Sequence, residues 1–193
     1  MKKCLLIDCY DSFSHKLAQS IEQTGLCSVD ILAYNRVLPE ALGYWDIFVM
    51  SPGPGLAYEY PALFRLISHL RQKPLLGVCL GHQVMALYCG GRLAHLPAVV
   101  HGQQKSLHIQ QDNTLFDGVL NGEKLGLYHS WHVAEVPQQM RILAVSGDKC
   151  IMVLQHELYP WTSVQFHPES YMTRAGTRML ANWVTLALNR NGR

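Results

Sequence analysis

The segment Pro74-Leu75-Leu76-Gly77-Val78-Cys79-Leu80-Gly81-His82-Gln83 restricts the possible folds of this chain more than any other. An apolar run stops at a cysteine held between two glycines, and polar residues follow at once. The Gly-x-Cys-x-Gly spacing predicts a strand that ends in a sharp turn and passes directly into a helix. Strand and helix backbones approach closely at such a junction, so the flanking positions have to be small. The apical side chain is then pushed out of the sheet. Backbone N–H groups at the start of the helix point at its sulfur, favour the anionic form and can hold a developing oxyanion. Taken alone, the motif also fits a core cysteine in a glycine-rich turn.

The surrounding sequence supplies strands and helices for that junction. Residues 3–8 read as a buried first strand and 10–12 as a turn. Phe13, Leu17 and Ile21 then share one helical face until Gly25. Asp11-Ser12 reads as an N-cap of that helix, worth roughly 1 kcal/mol. Further strands are expected over 28–34, 46–50 and 74–78, and helices over 61–72 and 80–88. A rigid loop, Ser51-Pro52-Gly53-Pro54-Gly55, follows the third strand. Alternation of strand and helix up to Gly90-Gly91 argues for a parallel sheet with right-handed crossovers. Beyond it, short strands over 106–110, 124–129, 142–146, 150–155 and 161–166 suggest appended antiparallel hairpins. A closing helix over 175–188 turns Met179, Leu180, Trp183, Val184, Ala187 and Leu188 to one side. The expected fold is α/β, an open and mostly parallel sheet flanked by helices with appended antiparallel strands, in one domain over 1–193.

Composition narrows the function. Hydrophobic residues make up 49% and charged residues 16%, against roughly 25% charged in ordinary soluble domains. A globular chain follows, with a hint of surface buried against a partner. The net charge of +2 comes without a basic run or an aromatic-and-basic stripe, which argues against nucleic acid. The apolar stretch after Met1-Lys2-Lys3 is too short for a signal peptide, and none reaches bilayer length. The six cysteines are scattered and read as reduced thiols of a cytoplasmic chain.

Near the far end, Phe166-His167-Pro168-Glu169-Ser170 offers a base and a carboxylate to orient it. His167 and Glu169 stand two apart in what reads as an extended segment, so both project to one side. Pro168 ends strand pairing there. Ligand crevices of open α/β sheets lie at the C-terminal ends of strands, where Cys79 also falls. Each residue alone has a bland reading; together they point to one crevice. His129-Ser130-Trp131-His132 contains a histidine pair, but no third ligand stands at a zinc spacing. Phosphate-loop and dinucleotide motifs are missing as well, so no metal and no cofactor are expected.

Four motifs, in order, carry a resemblance: the Ser51–Gly55 loop (Ser-Pro-Gly-Pro-Gly), Gly77-Val78-Cys79-Leu80-Gly81-His82-Gln83, Tyr128-His129-Ser130 and Gln165-Phe166-His167-Pro168-Glu169-Ser170. With them the chain resembles the class I, triad-type glutamine amidotransferases over nearly its whole length. It is most similar to the glutaminase components of anthranilate synthase and aminodeoxychorismate synthase, a subgroup supported by Leu6-Ile7-Asp8-Cys9-Tyr10-Asp11-Ser12-Phe13 and His101-Gly102. The resemblance implies a flavodoxin-like sheet and glutamine as substrate. It implies Cys79 as nucleophile, His167 as general base and acid, and Glu169 as the carboxylate that orients the imidazole. It further implies an oxyanion site from the N–H groups of Leu80 and Gly53, and a glutamine-contacting loop at Gly53, Pro54 and Gly55. Gln83 would meet the α-amino-acid end, with Ser130 and Trp131 lining the pocket through backbone groups. The implied partner is a separate chorismate-binding synthase subunit that takes the ammonia directly, because free ammonia at neutral pH is mostly protonated.

Several positions depart from the subgroup: Cys9 where Asn is common, His15-Lys16, the segment from Leu56 to Pro61, Gln103-Gln104, and Trp131 where Leu is frequent. None is a triad member, and all bear on pocket shape and partner identity. Two rival readings fit less well. The imidazole glycerol phosphate synthase glutaminase shares the elbow but usually lacks the Asp-Ser-Phe start and the Pro-Gly-Pro-Gly loop. A cysteine-dependent α/β hydrolase or peptidase would use the same triad on another substrate.

Overall fold

Strand β1 (Lys2–Asp8) carries apolar side chains at consecutive positions, and both of its faces are buried. Cys4 and Leu6 enter one core layer, Leu5 and Ile7 the opposite one. A strand inside a parallel sheet covered by helices on both sides requires this pattern. The computed structural model describes residues 1–190 and sets β1 between β2 (Cys27–Ala33) and β3 (Ile47–Met50), both parallel to it. β4 (Leu75–Val78) runs parallel to β3 and to β9 (Trp161–Val164). Beyond β9 the sheet continues antiparallel through β8 (Ile151–His156), β7 (Met140–Ser146), β5 (Arg92–Ile109) and β6 (Lys124–Glu135). The order is β2-β1-β3-β4-β9-β8-β7-β5-β6. This is the expected α/β arrangement.

Helices α1 (Ser14–Glu22) and α4 (Gly176–Arg190) cover one face, bringing Leu17, Ile21, Trp183 and Val184 onto Val49, Leu76 and Val78. α2 (Pro61–Ser68) and α3 (Leu80–Tyr88) cover the other, with Leu63, Ile67, Val84 and Met85 against Phe48, Met50 and Trp161. Burying each such side chain contributes about 1.5–3 kcal/mol. No helix among the described residues is long and apolar enough to cross a membrane.

Four local expectations need correction. Strand β5 runs over eighteen residues, not over 106–110 alone. Its first part is a ribbon exposed at Pro97–Val99 and at 101–104, with register shifts and Gly102 at φ +64°. A ribbon facing solvent has no apolar alternation to read, and bulges break its period. Helix α2 stops at Ser68 because the chain tightens: the N–H groups of His69 and Leu70 bond the carbonyls of Leu66 and Ile67. Asp11 does not cap α1 in the expected way; its carboxylate accepts from Phe13 N–H at 2.8 Å, one residue ahead of the helix. Finally, His167 and Glu169 do not lie in an extended segment. They belong to a turn in which Ser170 N–H donates to the His167 carbonyl at 3.2 Å.

Candidate active site

β4 ends at Val78 and α3 begins at Leu80, leaving Cys79 at the junction with φ 51° and ψ −98°. A non-glycine residue held there costs on the order of 1–3 kcal/mol and persists only where its surroundings enforce it. The enforcement is visible. Cys79 N–H donates to the Val164 carbonyl of β9 at 2.8 Å, and the Cys79 carbonyl accepts from Gln83 N–H at 3.2 Å. A Cβ on Gly77 would stand 2.6 Å from the Gly81 carbonyl oxygen, and one on Gly81 2.7 Å from that of Met50. Both glycines are therefore demanded by the close approach of α3 to β3 and β4.

The turn after β9 brings the imidazole to the sulfur. His167 N–H donates to the Gly126 carbonyl at 3.1 Å, and Thr173 Oγ1 donates to the His167 carbonyl at 2.8 Å, tying the turn to β6 and to the approach of α4. His167 Nδ1 donates to Glu169 Oε1 at 2.7 Å, and both side chains are buried. The rings of Phe13 and Tyr128 meet the imidazole edge-on at centroid distances of 5.1 and 5.0 Å. Burial opposes the charged ring, but the Cys79 thiolate, followed by Glu169, outweighs it and raises the His167 pKa to about 10. Nε2, the nitrogen left for the sulfur, is buried and makes no well-formed hydrogen bond. Such loose apposition is usual for a nucleophile and base before substrate arrives.

Two other imidazoles nearby are kept neutral. Burial, with a contribution from His129, pushes His82 down to about 3, and burial brings His129 to about 4. His82 Nδ1 lies 2.9 Å from Ser163 Oγ, and His129 Nδ1 donates to the Trp131 carbonyl at 2.9 Å.

Cys79 opens into a cleft of about 400 Å³ lined by Gly53, Pro54, Gly55, Leu80, Gln83, Ser130 and Trp131, together with Leu56, His95, Tyr128 and His129. The loop at 53–55 is pinned from below: Tyr60 Oη donates to the Pro54 carbonyl at 2.7 Å, and Glu59 accepts from Leu56 N–H at 2.8 Å. A Cβ on Gly53 would meet the Leu80 side chain at 2.3 Å and Cys9 Cβ at 2.8 Å, so glycine lets the loop lie against the start of α3. Leu80 is the first residue of α3, and an N–H there has no partner within its own helix. A second recess of about 470 Å³, lined by Gln104, Arg174 and residues 120–124, holds no nucleophile and base and is not the site.

Comparison with known proteins decides the family. The model of the class-I glutamine amidotransferases matches residues 5–187. The chain belongs to that family. A Haemophilus influenzae protein provisionally named anthranilate synthase component II is 36% identical over 187 residues, covering 95% of this chain and 96% of that protein. An aminodeoxychorismate synthase of Streptomyces griseus is 37% identical over 197 residues, and the match spans 99% of this chain but only 27% of that longer protein. Among solved structures, a Thermoplasma acidophilum protein provisionally described as part of a GMP synthase superposes with a TM-score of 0.89 at 21% identity, over 98% of this chain and 95% of that one. At that identity the likeness concerns the fold.

For a class I glutamine amidotransferase, the structure thus brings together the sequence-predicted Cys79, His167 and Glu169, and sets the predicted pocket residues around one cleft. Sequence reasoning quoted Phe13, Tyr128 and Leu56 without giving them these places and missed His95: the rings of Phe13 and Tyr128 wall the imidazole, and Leu56 and His95 line the cleft. It also passed over Gln165, whose Nε2 donates to Cys79 Sγ at 3.7 Å. Its place at the head of the Gln165–Ser170 motif, two residues before His167, was the available signal. Among the described residues no three His, Cys, Asp or Glu side chains gather as a metal site.

Proposed function

We propose that this chain hydrolyses the side-chain amide of glutamine and passes the ammonia to a chorismate-using synthase subunit, for anthranilate or aminodeoxychorismate formation. The observation that carries the reading is that Cys79, which lines the polar cleft, is backed by the buried, hydrogen-bonded pair of His167 and Glu169. The Cys79 thiolate attacks the carboxamide carbon. The oxygen that becomes negative is held by the N–H groups of Leu80 and Gly53, and losing one such donor raises a barrier by about 3–4 kcal/mol. His167 gives its Nε2 proton to the departing nitrogen, which leaves as ammonia, and a γ-glutamyl thioester remains on the sulfur. The neutral imidazole then takes a proton from water, hydroxide adds to the thioester, and glutamate leaves with the thiolate restored. Glu169 fixes the tautomer with the proton on Nδ1 and stabilises the imidazolium. No cofactor of this chain enters these steps.

Gln83 suits the α-amino end of the substrate. Its Nε2 already donates to the Trp131 carbonyl at 2.8 Å and to Gln165 Oε1 at 3.3 Å. Its own carbonyl oxygen is what it can offer a ligand, and an ammonium is the complementary group. The six free thiols fit a reducing, cytoplasmic setting.

The partner follows from chemistry and kinship. Ammonia released into water is protonated and lost as a nucleophile, and the relatives are named as synthases or components of them. The test is glutamate release by the chain alone and with its co-purified synthase subunit. The partner should accelerate turnover, and Cys79→Ala should abolish it. Glutamate release at the parent rate by that variant ends the catalytic assignment; equal rates with and without partner end the coupling.

A further inference from the structure

Gln165 is fully buried beside the nucleophile, and no step derived above uses it. Both ends of its amide are engaged. Nε2 donates to Cys79 Sγ at 3.7 Å, and Oε1 accepts from Gln83 Nε2 at 3.3 Å. Gln83 is oriented in turn by donating to the Trp131 carbonyl at 2.8 Å. The backbone of Gln165 is held as well, its N–H donating to the Met152 carbonyl of β8 at 2.9 Å. The orientation of this relay is dictated by its far end. A backbone carbonyl only accepts, so Gln83 must present its NH2 group there. That same NH2 group demands an oxygen from Gln165, and the Gln165 NH2 group is left facing the sulfur. Flipping the Gln165 amide would set donor against donor and oxygen against thiolate.

We propose that Gln165 is a further catalytic residue: its amide N–H holds the Cys79 sulfur as the thiolate and aims it, while Gln83 and the Trp131 carbonyl lock that amide in orientation. A buried thiolate needs donors to offset lost hydration, and a hydrogen bond to an ionised group is about twice as strong as a neutral one. This donor acts independently of His167, so the sulfur keeps support while the imidazole gives its proton to the leaving nitrogen. The relay also couples the nucleophile to Gln83, a residue lining the substrate cleft.

The inference rests on Cys79 as nucleophile, and its test uses no glutamine. The rate of Cys79 alkylation by iodoacetamide is measured across pH in the full chain, with the modified peptide identified by mass. Gln165→Met keeps the volume and removes the donor; Gln165→Glu keeps an acceptor for Gln83 and presents an oxygen to the sulfur. Loss of one charge-assisted hydrogen bond should slow Gln165→Met about tenfold at neutral pH, with the deficit closing as pH rises. Gln165→Glu should be slower still at neutral pH and recover in the same direction. A packing role would lower both variants by one factor at every pH, and that outcome, or profiles that superimpose on the parent, overturns the inference. If Gln165→Met does not fold, the near-isosteric Gln165→Glu decides by the same criterion. A chain with the expected profile that never hydrolyses glutamine would refute the glutaminase reading alone.

Discussion

Replacing Gly81 by alanine tests whether the elbow geometry sets the chemistry. The new Cβ would stand 2.7 Å from the Met50 carbonyl oxygen, 2.9 Å from Met50 Cβ and 3.2 Å from its carbonyl carbon. An ordinary contact begins at 3.4 Å, so the shortfall is about 0.7 Å. Met50 cannot yield, being fully buried in β3 and paired in register with Gly77 of β4. The start of α3 has to lift instead, carrying Cys79 and the Leu80 N–H with it. Overpacking of this kind costs about 1–3 kcal/mol, and alanine returns about 1 kcal/mol in helix propensity. Stability should therefore fall by no more than about 2 kcal/mol. The site suffers more, since a misplacement of about 1 Å can cost about a hundredfold, and 0.7 Å corresponds to roughly 10- to 100-fold. The assay pairs the labelling rate of Cys79 by a glutamine-analogue electrophile with the urea midpoint. Gly43→Ala is the control, because nothing lies within 4 Å of a Cβ there, and it should stay within about 0.5 kcal/mol of the parent. Labelling of Gly81→Ala at the parent rate would refute the argument that this contact positions the nucleophile.

Three further outcomes follow from the same geometry. In Cys79→Ala the thiolate that raises His167 is gone, so the ring should titrate well below about 10 by NMR; an unmoved titration would mean that the sulfur is not its partner. Glu169→Gln keeps an acceptor for Nδ1 but loses the charge, and kcat should fall about 10²- to 10⁴-fold with little change in KM; a change carried by KM alone would contradict the orienting role. The folded chain holds His82 near 3 and His129 near 4 against an ordinary 6.5, so it binds fewer protons than the unfolded chain as pH falls. Their contribution to stability is complete above about pH 6.5 and declines as pH drops toward those folded values. The urea midpoint should fall accordingly, and His82→Asn should flatten the slope; a midpoint constant from pH 7 to 4 would rule this out.

What could be read from the sequence depended on how local the cause was. The elbow was legible because strand, apex and helix are consecutive, and because Gly77 and Gly81 answer contacts made inside or beside that segment. β1, β3 and β4 were legible as apolar runs buried on both faces. The pairing of His167 with Glu169 was anticipated correctly for the wrong reason. Two-residue spacing suits an extended strand, whereas a turn closed from Ser170 to His167 brings the two side chains together. The pocket residues came from family resemblance rather than from any periodicity. The role proposed for Gln165 could not be read, since it depends on residues 83 and 131, brought beside it only by the β4–β9 pairing and the approach of β6 to α3. The long β5 escaped for a different reason: a solvent-facing ribbon is not written in apolar residues.

The electrostatics of the cleft explain why so many histidines can surround one thiolate without sharing its proton. His82, His129 and His167 are all buried, and burial alone would leave each of them neutral. His167 differs in having an anion on either side of its ring, the sulfur of Cys79 and the carboxylate of Glu169. His82 meets a hydroxyl at Ser163 and His129 a backbone carbonyl, groups that orient an imidazole but do not repay the cost of charging it. Protonating His129 would also place a second cation near the imidazolium, whose charge already lowers it. Of the three rings, only His167 is raised, and the proposed delivery of a proton to the leaving nitrogen rests on it. A glutamine amide expels ammonia only when protonated, so a proton resting on His82 or His129 would contribute nothing to bond cleavage. In the proposed mechanism, the neutral imidazoles therefore leave His167 without a competitor.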